Sequence, residues 1–281
     1  MIEKILNKEI KRINNRSIIY DLFYNVSTQK APLIIFCHGY KGFKDWGAWN
    51  IFAEAFTSHG IAFLKFNFSH NGGTFTQPID FPDLDAFAEN NYSKELEDLE
   101  CVIDFVCDSY KNHIALDVES IFLIGHSRGG GIATIKASED RRIKKLVTLA
   151  GVSDYKSRFP KGEALKHWQK EGVYFVENGR TKQKMLHNYQ FYQDFMINED
   201  RLNIEKAVKK MTIPHFIVHG GADTSVPFFE AERLNSWSKT SSIYKILGGN
   251  HVFGAKHPWE TDEMPQDLSI VLSKTLEFIN N

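Results

Sequence analysis

The chain has 281 residues, 42% of them hydrophobic and 25% charged, with a formal net charge of −1. That is enough apolar material for one large domain carrying a small insertion. It excludes a disordered chain and one with a global nucleic-acid footprint. Three cysteines (Cys37, Cys101 and Cys107) are too few for a disulfide framework. Cys101 and Cys107 stand six apart in a predicted helix and share no face, so all three read as buried small apolar side chains rather than a metal site. Charges interrupt every apolar stretch of the N-terminus, and no run approaches the ~18 apolar residues of a membrane span. A cytoplasmic protein with no nucleic-acid partner and no membrane span is expected; the oligomeric state stays open.

In chain order, residues 8–26 read as a hairpin turning at Asn14-Asn15, so the sheet is expected to begin antiparallel. Short runs rich in Ile, Val and Phe follow at 33–37, 61–66, 121–124, 146–149, 215–218 and 243–247. Each is bounded by Gly, Pro or Ser. Continuous apolar runs of this length fit strands buried on both faces of a parallel sheet. Helical patterns alternate with them. Over 92–110, Leu96, Leu99, Val102, Ile103 and Val106 recur at 3–4 spacing, with Glu95, Glu97, Asp98 and Glu100 predicted on the other side. Ser93 and Glu97 mark its start. Residues 228–238 and 268–279 read as two further helices. The alternation predicts an α/β fold, a mostly parallel sheet of the eight-stranded type with helices on both faces. Two segments break the rhythm. Residues 67–91 form a long polar loop. Residues 152–213 separate two predicted strands by far more than a normal connection, and are expected to form a cap over a core made of 1–151 and 214–281.

The strongest local signal is Gly125-His126-Ser127-Arg128-Gly129, the pattern G-x-S-x-G. A strand precedes it and a helical pattern follows, so Ser127 falls on a strand-to-helix turn that only small neighbours can surround. Such a turn lifts the hydroxyl clear of the sheet at the positive end of the next helix. A serine hydroxyl needs a base to take its proton. His251, in Gly248-Gly249-Asn250-His251 after a predicted strand, is the expected base, with His257 as its rival. His38 and His219 also end strands and read as structural parts of the loops beneath the site. An acid must hold the imidazole tautomer. Asp223 is expected in that role, and Asp154 is the competitor. The order Ser127, Asp223, His251 is that of the α/β-hydrolases and excludes the trypsin-like and subtilisin-like orders. The oxyanion donors are expected to be the backbone amides of Tyr40, in His38-Gly39-Tyr40, and Arg128.

At these residues the chain resembles the α/β-hydrolase superfamily. Within it, His-Gly-aromatic at 38–40, Gly-His-Ser-x-Gly-Gly at 125–130 and the insertion after the sixth main strand look most like the feruloyl (cinnamoyl) esterase and dienelactone-hydrolase-like branch. Arg128 departs from the smaller or neutral residue expected beside the nucleophile there. The resemblance implies ester hydrolysis without a cofactor, on small to medium ester substrates, through an acyl-enzyme on Ser127. A thioesterase, an aminopeptidase-like amidase and a non-catalytic binding protein are the alternatives on the same fold. Residues 152–213 carry a net charge of +4 against −5 for the rest. That excess reads as solvated helix faces or as a field attracting carboxylate- or phosphate-bearing substrates. Tyr189, Tyr192 and Phe195 lie on one helical stripe, expected to pack against the main domain.

Overall fold

A computed structural model describes residues 1–13, 15–26 and 29–281. The predicted turn residue Asn14 lies outside them; the two strands around it do not. β1 (Ile2–Ile10) and β2 (Ile18–Asn25) pair antiparallel, as the hairpin pattern predicts. The remaining main strands are β3 (Ala31–Cys37), β4 (Ala62–Asn67), β5 (Leu116–His126), β6 (Ile143–Leu149), then β9 (His215–Gly220) and β10 (Ser241–Ile246), with β7 (Val173–Glu177) and β8 (Lys184–Asn188) set apart in a hairpin of their own. The eight-stranded sheet runs β1-β2-β4-β3-β5-β6-β9-β10. Only β1 with β2 and β2 with β4 are antiparallel. The last strand ends one residue earlier than its apolar run suggests, because Leu247 points into solvent at 87% exposure.

The runs at 33–37 and 121–124 are apolar throughout because both faces are covered, and Lys65 of β4 is buried against the carboxylates of Asp21 and Asp45. On β3, Leu33, Ile35 and Cys37 enter one core while Ile34 and Phe36 enter the other, the period-two alternation of a pleated strand. The second core is closed by α1 (Trp49–Ser58) and α9 (Gln266–Asn280). The first is closed by α3 (Tyr92–Ser109), α4 (Arg128–Glu139), α7 (Ile204–Lys210) and α8 (Phe229–Trp237). The start of α3 is set by Asn91, whose side chain accepts from the Lys94 amide at 2.8 Å, and not by Ser93. Its apolar stripe is buried as predicted, but Glu95 and Asp98 are buried with it. Asp98 accepts from the Ser69 amide at 2.7 Å and pairs with Arg12, so a neighbouring loop and a cation replace the water that a polar face was expected to meet. Of the cysteines, Cys37 is buried, whereas Cys101 and Cys107 are only partly so.

The loop 67–91 contains a short helix, α2 (Leu84–Ala88), capped by Asp83. Residues between β6 and β9 form α5 (Glu163–Glu171), the hairpin β7 (Val173–Glu177) with β8 (Lys184–Asn188), and α6 (Gln190–Ile197), before α7. Phe159, Phe191 and Phe195 of this segment close around Tyr92 of α3, and Tyr189 and Tyr192 pack on Trp168. Phe43, Phe81, Phe87 and Met185 form a third apolar cluster, which joins the loop after β3 to α2 and β8. No helix among the described residues is long and apolar enough to cross a membrane.

Candidate active site

The sheet order reverses around β3, and the carboxyl ends of β3, β5, β9 and β10 converge on one edge. In open α/β sheets that edge is where ligands bind. Ser127 follows β5 directly, at φ 55° and ψ −121°. This left-handed geometry is costly for a residue with a side chain, and surrounding bonds must hold it. The Ser127 amide donates to Leu149 O at 2.9 Å, and its carbonyl accepts from Gly130 at 3.0 Å and Val152 at 3.2 Å. The flanking glycines answer a steric need. A Cβ at Gly125 would lie 2.4 Å from Gly129 O, and one at Gly129 would lie 2.4 Å from His38 O.

The structure brings Ser127, His251 and Asp223 together. The Ser127 hydroxyl lies 3.0 Å from His251 Nε2, and His251 Nδ1 lies 2.7 Å from Asp223 Oδ2. Asp223 Oδ1 accepts from the amides of Ser225 at 2.8 Å and Val226 at 2.9 Å. Burial alone pushes the Asp223 carboxyl up. Hydrogen bonds from His219, His251 and Val226 outweigh it and hold the group well below the usual carboxylate range, so it stays ionised.

The two competitors lie elsewhere. His257 Nδ1 accepts from the Gly47 amide at 3.0 Å, with its ring against Trp46 and Phe43. Asp154 accepts from the amides of Lys156 and Ser157 at the start of a turn. His38 and His219 are buried. His38 Nε2 accepts from the Phe68 amide, and His219 Nε2 donates to Val226 O at 2.7 Å.

The amides of Tyr40 and Arg128 donate to no protein acceptor among the described residues. For Arg128 that follows from its place as the first residue of α4, where the helix offers no partner. The Arg128 side chain explains the departure noted in the sequence. It packs over the Tyr92 ring at 4.5 Å and the Phe191 ring at 5.0 Å. Its Nε donates to Glu95 Oε2 at 3.0 Å, and its Nη2 lies 2.9 Å from Glu95 Oε1. A buried guanidinium is tolerated because a buried carboxylate faces it.

Sequence reasoning passed over three further residues at this edge. His126 Nε2 lies 2.9 Å from the His251 carbonyl oxygen. His187 of β8 meets the Tyr40 hydroxyl at 2.7 Å, tying the 152–213 segment to the loop after β3. Glu95 was read as part of a solvated face. Its position four residues before Leu99, on the apolar stripe, was the available signal. Above Ser127 opens a cavity of about 700 Å³, lined by Tyr40, Trp168, His187 and Phe191 among others. Among the described residues no group of three or more His, Cys, Asp or Glu side chains is arranged to hold a metal ion.

The family model for the alpha/beta hydrolase fold matches residues 32–182, more than half of the chain. The chain therefore belongs to the α/β-hydrolase fold family. A curated Escherichia coli relative, an uncharacterized 31.7 kDa protein in the traX-finO intergenic region, is 29% identical over 132 residues, 44% of this chain. The match spans 39% of that relative's length. Among solved structures, Est1E from Butyrivibrio proteoclasticus with ferulic acid bound superposes with a TM-score of 0.72 at 20% identity, over 97% of this chain and 98% of that one. The esterase domain of a Rhodothermus marinus protein gives 0.65 at 19%, over 99% and 97%. Dienelactone hydrolase from Anabaena variabilis gives 0.64 at 13%, over 99% and 97%. Likeness at these identities speaks for the shared fold alone.

Proposed function

We propose that this protein is a serine carboxylic-ester hydrolase acting on small to medium substrates. The observation that carries the reading is the continuous chain of contacts from Ser127 Oγ through His251 to Asp223, at 3.0 and 2.7 Å. Ser127 attacks the ester carbonyl as His251 Nε2 takes its proton. Asp223, ionised and buried, keeps the imidazole proton on Nδ1 and stabilises the imidazolium. The oxyanion forms toward the amides of Tyr40 and Arg128, which carry no competing acceptor. His251 returns its proton to the leaving alcohol, and water, activated by the same imidazole, hydrolyses the acyl-enzyme. The solved esterases of the same fold agree with an ester substrate. The segment 152–213 acts as a cap whose aromatic side chains wall the acyl or alcohol group.

The test is a comparison of two carboxylates on p-nitrophenyl acetate. Asp223→Asn keeps the shape but loses the charge that fixes the tautomer, and kcat should fall about 10⁴-fold. Asp154→Asn should stay near wild type. The reverse ranking would move the acid to the loop after β6.

A further inference from the structure

We propose that the cavity above Ser127 selects esters that carry a second group, a carboxylate, and that Lys41 is the residue that pairs with it. The inference rests on the esterase reading and deepens it.

The cavity wall includes three cations, Lys41, Arg128 and Arg158, and neither an aspartate nor a glutamate. Two of the three are neutralised from behind the wall. Glu95 faces Arg128 at 2.9 Å, and Glu230 pairs with Arg158. Lys41 has no carboxylate and no hydrogen-bond acceptor among the described residues. Its ammonium stands 5.3 Å from the centroid of the Tyr40 ring, itself part of the wall. The side chain is half-buried, and burial lowers its pKa with no acidic neighbour to raise it again. A partly desolvated, uncompensated charge is a cost that a bound anion would remove.

The backbone points the same way. Gly39 and Gly42 close a tight turn by a 3.0 Å bond from the Gly42 amide to Gly39 O, and Lys41 sits inside it at φ 53°. Glycine would occupy that conformation without strain, so a lysine there is held at some conformational cost. Lys41 also follows Tyr40 directly, which puts its charge on the wall next to an oxyanion donor. One uncompensated positive charge matches a monoanion, hence a carboxylate rather than a phosphate. The positive excess of residues 152–213 is a separate matter. Several of its lysines pair locally at the surface, Lys156 with Glu199 at 2.7 Å and Lys166 with Glu163 at 2.8 Å among them.

The experiment compares esters matched in length. p-Nitrophenyl hydrogen adipate differs from p-nitrophenyl hexanoate by a terminal carboxylate in place of a methyl group. 4-(Hexanoyloxy)benzoate and its methyl ester put the charge on the leaving side. In at least one pair, the anionic ester should have a kcat/KM about 10- to 100-fold higher. That ratio should shrink as salt rises. Lys41→Gln should bring it to about one, and Lys41→Arg should restore most of it. Fluorophosphonate labelling of each variant shows that it is folded. A wild-type ratio at or below one in both pairs overturns the proposal, as does a ratio unchanged by Lys41→Gln. Failure of the esterase reading looks different: none of the four esters is turned over and Ser127 takes no label, which overturns both.

Discussion

His126, the residue before Ser127, donates from Nε2 to the backbone carbonyl oxygen of His251 over 2.9 Å. Their rings lie 4.9 Å apart between centroids. Burial first, and the neighbouring His251 second, lower the His126 pKa to about 3, so the ring is neutral. A neutral imidazole facing a carbonyl oxygen must carry its proton on the facing nitrogen. His126 thus holds the loop that carries His251 at a fixed height above Ser127.

That relationship makes His126 a positioning residue. His126→Phe keeps a ring but removes the donor, and the loop after β10 should drift. A misplacement of the base by about 1 Å can cost about 10²-fold, so kcat should fall by that order while KM changes little. His126→Gln offers an amide donor near the same point and should recover much of the loss. Equal loss in both variants, or a loss confined to KM, would assign His126 a packing role only.

The proposed oxyanion donor after β3, the Tyr40 amide, is tested through its backbone. Tyr40→Ala keeps the amide and removes the hydroxyl that meets His187 at 2.7 Å, so the effect should fall mainly on KM. Tyr40→Pro has no N–H, and kcat should fall by roughly 10²–10³. If the alanine variant loses as much kcat as the proline variant, the phenol is the active part. The donor would then be the Lys41 amide.

Much of this site was legible in the sequence, for physical reasons. A nucleophile on a strand-to-helix turn demands small residues around it, and Gly125 and Gly129 stand where a Cβ would strike backbone at 2.4 Å. The central parallel strands β3 and β5 show as apolar runs at 33–37 and 121–124 because both faces are covered. Contacts made across the fold leave no local mark. Glu95 shows its burial by its place on the apolar stripe of α3, but nothing local names Arg128, 33 positions on, as its partner. The Tyr40–His187 contact joins residues 147 positions apart. The hairpin β7–β8 does carry a local signal, the apolar run from Val173 to Val176 closed by Asn178-Gly179, although Tyr174 and Phe175 stand in solvent instead of in a core.

Stability should depend on pH through the buried histidines. Burial lowers His38 to about 4, and His126, His187 and His215 to about 3. The unfolded chain takes up a proton at each below about pH 6.5, whereas the folded chain does not. Stability is therefore lost as pH falls from about 6.5 toward those values, by about 1.4 kcal/mol per pH unit for each histidine. Asp98, raised to about 6 chiefly by burial, offsets about one histidine's share between pH 6 and 4. The urea midpoint should drop clearly from pH 7 to pH 5. A midpoint constant over that range would mean that these rings are protonated in the folded protein.

Whether Ser127 is a nucleophile activated by His251 is read by a fluorophosphonate probe. Intact-mass measurement should show one adduct per chain, mapped to Ser127 by peptide sequencing. Ser127→Ala should take none. His251→Ala should react more slowly by about 10³-fold or more, the loss expected when a triad member is removed. A wild-type chain that stays unlabelled would contradict the account, as would one labelled at another residue or equally fast without His251.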